Sequence, residues 1–285
     1  MTKRAFCVGI NDYPIEGADL RGCINDATGW AALLADHFDF ARSDITMLND
    51  SDATKKNILS GLKDLLAGAG YGDVLVFTNS SHGSYIPDTS GDERDRYDEV
   101  ICPYDIRDNP LVDDELRELF ADVPRGVKLT VISDSCHSGN VTRVIPSEIL
   151  PGLRFSDDRR PRFLSPLYWV RRAGRGRRSR DLDSTLLPDA LGAAPSKRAT
   201  FPQSSMKHVL LSGCKDIEVS YDANIGGTYH GAMTYHAIKA INDAGYTITY
   251  AQVAERLGTL LDAAGYPQHP QLEGKSAAKH RQVFT

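Results

Sequence analysis

Val74-Leu75-Val76-Phe77-Thr78-Asn79-Ser80-Ser81-His82-Gly83 and Lys128-Leu129-Thr130-Val131-Ile132-Ser133-Asp134-Ser135-Cys136-His137-Ser138-Gly139 share one layout. Each is an apolar run followed at once by polar residues, a reactive side chain and a glycine. Runs rich in Val, Ile and Leu without alternation suit strands of a sheet covered on both faces. Similar runs lie at Ala5 to Ile10, Ile45 to Leu48 and Val209 to Leu211. Helical spacing fills the intervals. Asn25 to Phe38 places Ala27, Trp30, Ala31, Leu34 and Phe38 on one face. Asp52 is the expected N-cap of a helix through Ile58, Leu62, Leu65 and Leu66, ended by the Gly68 to Gly72 stretch. Asp113 to Phe120, Ala232 to Asn242 and Tyr250 to Ala264 supply three more. Strands alternating with helices predict an α/β fold with a mostly parallel central sheet flanked by helices on both faces.

In an open α/β sheet, ligands bind at the carboxyl ends of the strands. As neighbours, the two opening strands bring His82 and Cys136 together at that edge. The chemistry this suits is nucleophilic: a thiol whose proton is taken by an imidazole. Gly83 and Gly139 let the backbone approach a substrate. The backbone N–H groups of Gly83 and Cys136 are then candidates for stabilising an oxyanion.

The chain has 285 residues and a formal net charge of −5. That charge is unevenly spread: residues 151–200 hold twelve Lys and Arg against five Asp and Glu. An acidic body with a basic insert is a poor nucleic-acid binder and a plausible receptor for basic peptide segments. Apolar runs are too short to span a bilayer. Met1 to Phe6 leads into a run that reads as a strand, not a signal peptide. Five widely spaced cysteines, Cys7, Cys23, Cys102, Cys136 and Cys214, give neither a disulfide framework nor a CxxC metal pair, which suits a reducing cytoplasmic setting. Residues 146–205, with Arg159-Arg160, Arg171-Arg172 and Gly174-Arg175-Gly176-Arg177-Arg178, break the strand–helix pattern. They read as an exposed insert or linker between a larger N-terminal part, 1–145, and a smaller C-terminal part, 206–285. Phe163 to Val170 is apolar enough to pack somewhere, so the insert need not be wholly disordered.

With these motifs the chain resembles the metacaspases and the bacterial caspase-like peptidases of the same clan. The resemblance rests on Ser80-Ser81-His82-Gly83, Asp134-Ser135-Cys136-His137-Ser138-Gly139 and Gly22-Cys23-Ile24-Asn25-Asp26-Ala27. It extends to Gly91 through Glu99, Pro103-Tyr104-Asp105, Val112-Asp113-Asp114-Glu115 and Ser212 through Asp216. It implies a caspase-hemoglobinase fold, with 1–145 and 206–285 as large-subunit-like and small-subunit-like parts of one catalytic domain. It also implies a monomeric cysteine endopeptidase that cleaves protein or peptide substrates after Arg or Lys. The residues matching the family's basic pocket are Cys23, Asp26, Ser80 and Asp134. Two carboxylates in a pocket suit a guanidinium. The resemblance further implies calcium as an activator, outside the chemistry itself, held by Asp98, Asp113 and Asp114. Where a fourth aspartate is expected the chain reads Asn140-Val141-Thr142-Arg143, and Arg143 repels a cation. Ser81 stands where the family has Gly. The Arg-rich insert is a candidate for self-cleavage after Arg or Lys within 159–180 or at 197–198.

Plainer readings stand beside these. His137 neighbours the thiol and is a rival base. Asp26 also suits the first turn of a helix, and Asp113 and Asp114 suit a helix cap. Cys136 lies in a polar setting that speaks against burial, whereas Cys7, Cys102 and Cys214 read as structural. A caspase-like scaffold that binds a partner without catalysis is the alternative function. A hydrolase using Ser135 or Ser138 lacks a G-x-S-x-G elbow.

Overall fold

The computed structural model describes residues 1–87, 97–136, 158–170, 206–215 and 218–285. Its strands are β1 (Lys3–Gly9), β2 (Ile45–Asn49), β3 (Val74–Ser80), β4 (Gly83–Pro87), β5 (Tyr97–Ile101), β6 (Leu111–Val112), β7 (Lys128–Asp134), β8 (Arg159–Pro161), β9 (His208–Ser212), β10 (Tyr221–Ile225), β11 (Thr228–Gly231) and β12 (Gln271–Glu273). Its helices are α1 (Cys23–His37), α2 (Lys55–Leu66), α3 (Asp113–Ala121), α4 (Pro166–Trp169), α5 (Ala232–Asp243), α6 (Tyr250–Ala263) and α7 (Ser276–Lys279).

The central sheet has six strands in the order β12-β9-β7-β3-β1-β2. The pairs β1–β2, β1–β3, β3–β7 and β7–β9 are parallel, and only β12 runs antiparallel to its neighbour. One sheet therefore draws strands from both sides of the Arg-rich stretch. Alternate residues of each strand enter opposite cores. Ala5, Cys7, Val74 and Val76 pack with Trp30 and Leu34 of α1 and with Ala237, Ile241, Val253 and Leu257 of α5 and α6. Phe6, Val8, Leu75, Phe77, Leu129 and Val131 pack on the other face with Ile58 and Leu62 of α2 and Leu116 and Phe120 of α3. Each buried Val, Leu, Ile or Phe among them contributes about 1.5–3 kcal/mol of burial. That two-sided demand explains the unbroken apolar runs.

One local expectation is corrected. Asp52 does not cap α2: residues Asp50–Asp52 form a short 3-10 turn, and Thr54 caps the helix, its hydroxyl accepting the Asn57 N–H at 3.3 Å. Thr54 is extended and directly precedes the helix, whereas Asp52 lies within the 3-10 turn, so the intrinsically weaker capping residue holds the position. Part of the insert packs. Its residues 158–170 lie against the body, with Pro161, Arg162, Phe163, Leu164 and Trp169 buried. β8 adds antiparallel to β10, which is also paired with β11. The sites proposed for cleavage beyond residue 170 lie outside the described residues. Among the described residues, no helix is long and apolar enough to cross a membrane.

Candidate active site

The β3–β7 register pairs Ser80 with Asp134, so His82 and Cys136 each follow two residues beyond matched strand ends. Gly83 opens β4, and a Cβ there would stand 1.7 Å from the Cys136 carbonyl oxygen, so only glycine permits this approach. His82 is buried, its Nε2 hydrogen-bonded to the Ala18 carbonyl at 2.6 Å. A carbonyl can only accept, so Nε2 carries the proton and Nδ1 keeps its lone pair. Nδ1 is buried without a hydrogen-bond partner among the described residues. Burial pushes the imidazole down to about 4, against the partial upward pull of the Ala18 carbonyl. It is the neutral, base-competent form at neutral pH. Ser81 keeps its place by bonding to the Asn79 side chain and the His82 carbonyl.

Cys136 corrects the expectation of an exposed thiol. It is fully buried, in a cluster with Tyr85, Phe163, Cys214 and Val219. The polar neighbours in sequence mislead because the cover comes from distant segments. Its sulfur accepts the Ser220 N–H at 2.7 Å and lies 3.5 Å from the Ser220 carbonyl, and the Cys214 thiol is a further partner. Burial and the Cys214 contact raise the thiol well above its ordinary value, so it is protonated.

Arg162, from the insert, fills the space beside both residues. Its carbonyl accepts the Gly83 N–H at 2.9 Å and the Cys136 N–H at 3.3 Å, the two donors expected of an oxyanion hole. Its own N–H donates to the Ser220 carbonyl at 2.8 Å, and the Leu164 N–H donates to Gly83 at 2.9 Å. The chain therefore crosses the strand ends in an extended posture, anchored on both sides of the Arg162–Phe163 bond. The guanidinium is fully buried. Nη2 meets Asp26 at 2.7 Å and Asp222 at 3.0 Å, while Nη1 meets Ser80 Oγ at 2.6 Å, the Asp134 carbonyl at 3.1 Å and Asp134 Oδ2 at 3.3 Å. Cys23 lies beside them, its thiol hydrogen-bonded to Ser80. All four residues of the expected basic pocket thus converge on one guanidinium.

Second partners hold the carboxylates. Asp26 accepts the Gly231 N–H, Asp134 accepts the N–H and hydroxyl of Thr234, and Asp222 accepts the N–H groups of Arg21 and Gly22. Burial alone raises Asp26, but Arg162 and hydrogen bonds from His230 and Ser80 hold it below the usual carboxylate range. For Asp134, burial wins over Arg162 and the carboxyl rises. Gly231 is needed for closeness: a Cβ there would fall 2.1 Å from Asp134 Oδ2 and 2.5 Å from Arg162 Nη1.

The residues expected to hold calcium sit apart from this cluster. Asp113 and Asp114 open α3 and both form ion pairs with Arg117, while Asp98 is buried on β5. Among the described residues, no group of three or more His, Cys, Asp or Glu side chains is placed to hold a metal ion. In this arrangement the Arg117 guanidinium occupies Asp113 and Asp114. Arg143 and the acidic run from Asp92 to Asp95 lie outside the described residues, as does the rival base His137.

Residues 3–145 match the family profile described as metacaspase, peptidase C14 domain. Over 283 residues the chain is 34% identical to Metacaspase-1A of Aspergillus terreus, covering 95% of this chain and 70% of that protein. The chain belongs to the metacaspase family. It is 33% identical to Metacaspase-1 of Coccidioides immitis over 95% of its own length and 61% of that relative's. Metacaspase-7 of Arabidopsis thaliana is 44% identical over 147 residues, 50% of this chain and 36% of that protein. The chain thus spans less than two thirds of some relatives' length. A crystal structure of a Geobacter sulfurreducens protein superposes with a TM-score of 0.71 at 26% identity, covering 100% of this chain and 99% of that one. The caspase-like fold of this metacaspase follows from both comparisons.

Three residues at the site escaped sequence reading: Arg162, Asp222 and Ser220. Asp222 follows a short polar stretch with no motif of its own. Arg162 carried a signal, the run Arg159-Arg160-Pro161-Arg162 next to an apolar segment, but nothing local separates it from the other arginines of the insert.

Proposed function

We propose that this metacaspase is a cysteine endopeptidase that cleaves after Arg, more slowly after Lys, and that it cuts its own Arg162–Phe163 bond. The observation that carries this reading is the posture of Arg162. Its side chain lies among three carboxylates while its carbonyl rests on the Gly83 and Cys136 N–H groups. His82 acts as base through Nδ1 and takes the Cys136 thiol proton as the sulfur attacks the Arg162 carbonyl carbon. The oxygen's charge is held by the two backbone donors. As the C–N bond breaks, His82 gives the proton to the Phe163 nitrogen, which leaves as a new amino terminus. Water then hydrolyses the thioester and restores the thiol. No hydrogen bond joins the thiol to His82 in this state, so the sulfur turns from Ser220 toward the carbonyl during the step.

Two nitrogens of a guanidinium reach separate acceptors here, and a single ammonium reaches only one set. A panel of fluorogenic peptides ending in Arg, Lys or Asp is expected to give about tenfold faster cleavage after Arg than Lys, and none after Asp. Cleavage after Asp alone, or activity surviving Cys136→Ala, would sink the assignment. Run with chelator and with added calcium, the same panel tests calcium activation: a rise with calcium is expected if the ion takes Asp113 and Asp114 from their partly exposed pairing with Arg117, a contact worth about 1 kcal/mol or less, and equal rates would count against it.

The pH dependence follows from His82. Its pKa is lowered to about 4, so the neutral base survives as the pH falls and is lost only through that value. Self-cleavage is expected to hold its rate from neutral pH down to about pH 5 and to fall below it. An acid limb near 6.5, the ordinary histidine value, would mean that the ring is solvated when the bond is cut.

A further inference from the structure

Arg159 stands three residues before Arg162 and has a site of its own. Its Nη1 donates to the Gly265 carbonyl at 3.0 Å and its Nη2 to the Ala264 carbonyl at 3.3 Å. The guanidinium carbon lies 4.3 Å from the centroid of the Tyr266 ring. Ala264 is the C-cap of α6, and Gly265 follows with φ +71°. The last carbonyls of a helix lack donors within it and carry the negative end of its dipole. A planar cation over an aromatic face gains further attraction. The site belongs to the body and not to the insert: Tyr266 is buried and tilted against Tyr221 and His236. Arg160, between the two, makes a single exposed hydrogen bond to the Asp19 carbonyl.

We infer that the Tyr266 face and the carbonyls of Ala264 and Gly265 form a second arginine subsite, which selects substrates carrying Arg three residues before the residue at the cut. The inference rests on the peptidase reading, with residues 159–163 lying as a substrate lies. It differs from the pocket around Asp26 in kind, because it offers carbonyls and a π face in place of carboxylates. The planar fork of Arg fits both at once, and Lys offers only a point charge.

The test uses fluorogenic tetrapeptides Xaa-Arg-Pro-Arg, with Xaa being Arg, Lys, citrulline or Ala. Arg at the first position is expected to raise kcat/KM about tenfold over Ala, with Lys between and citrulline near Ala. Tyr266→Leu should bring the Arg and Ala peptides within about twofold of each other, and Tyr266→Phe should preserve the preference. Equal rates for Arg and Ala on the unaltered protein overturn the subsite without touching the peptidase reading. Should no peptide be cleaved, the peptidase reading fails and the subsite is still decided by binding. Anisotropy of labelled, uncleaved peptides on Cys136→Ala protein also carrying Arg159→Ala and Arg162→Ala measures the same discrimination, and equal affinities overturn it.

Discussion

Purified protein is expected to lose its intact 31.3 kDa chain on incubation and to yield a first piece ending at Arg162 and a second beginning at Phe163. Cys136→Ala should slow this by more than about a thousandfold, since the nucleophile is removed while the binding geometry stays. Arg162→Lys should cut at the same bond about tenfold more slowly, because an ammonium cannot reach both the Asp26–Asp222 side and the Ser80–Asp134 side. Arg162→Ala should stop cutting here and destabilise the uncleaved chain by about 3 kcal/mol, as three buried carboxylates lose their shared cation. Intact mass and N-terminal sequencing read the cut, and thermal melting reads the stability. Further cuts between Arg171 and Arg180 or at Lys197–Arg198 would shorten the second piece and leave the first unchanged. A first piece ending elsewhere, or cutting at the same rate without Cys136, would refute the assignment.

The second large effect is expected at Asp222. It is fully buried, 3.0 Å from Arg162 Nη2, and oriented by the Arg21 and Gly22 N–H groups. Asp222→Asn should lower kcat/KM for peptides ending in Arg by about 30- to 300-fold, the range for losing one charged partner of a desolvated guanidinium. The cost in fold stability should be small. Three carboxylates surround one cation, so removing one charge relieves repulsion and strands no counter-ion. Asp134, already raised toward its neutral form, should lower kcat/KM less when changed to Asn than Asp222 does. Activity toward Arg peptides unchanged in Asp222→Asn would mean that the pocket works through Asp26 and Asp134 without it. A collapse in melting temperature would mean that Asp222 acts structurally through α1.

Much of the frame was legible. Strands β1, β3 and β7 follow apolar runs because the middle of a sheet covered on both faces buries successive residues, a purely local signature, and the shorter runs of the half-buried β2 and β9 carry the same signal more weakly. Helices α1, α2, α3, α5 and α6 were legible because one apolar stripe recurs at helical spacing, whereas the four-residue α4 and α7 are too short to show one. β8, β10, β11 and β12 were not, since they are short edge or outlying strands whose pairing comes from a partner far along the chain. The cap of α2 fell to Thr54 instead of Asp52, a choice between two good capping residues that sequence leaves open.

The candidate site divides in the same way. The His82 and Cys136 motifs were readable because each is tied to its own strand end, and the parallel register of β3 and β7 places both at one edge without further information. The pocket residues Cys23, Asp26, Ser80 and Asp134 were reached through family likeness. What only the tertiary structure decided is who occupies that pocket. Arg162 is one of twelve basic residues between 151 and 200, and its selection depends on carboxylates from α1, β7 and β10 and on N–H groups from two strand ends. Periodicity is a property of a segment, but a buried ion cluster is a property of segments closed on one another. The sequence determined the frame and the reactive pair, because each is written in neighbouring residues. The tertiary structure alone decided that the thiol is covered and that an arginine of the same chain lies across it.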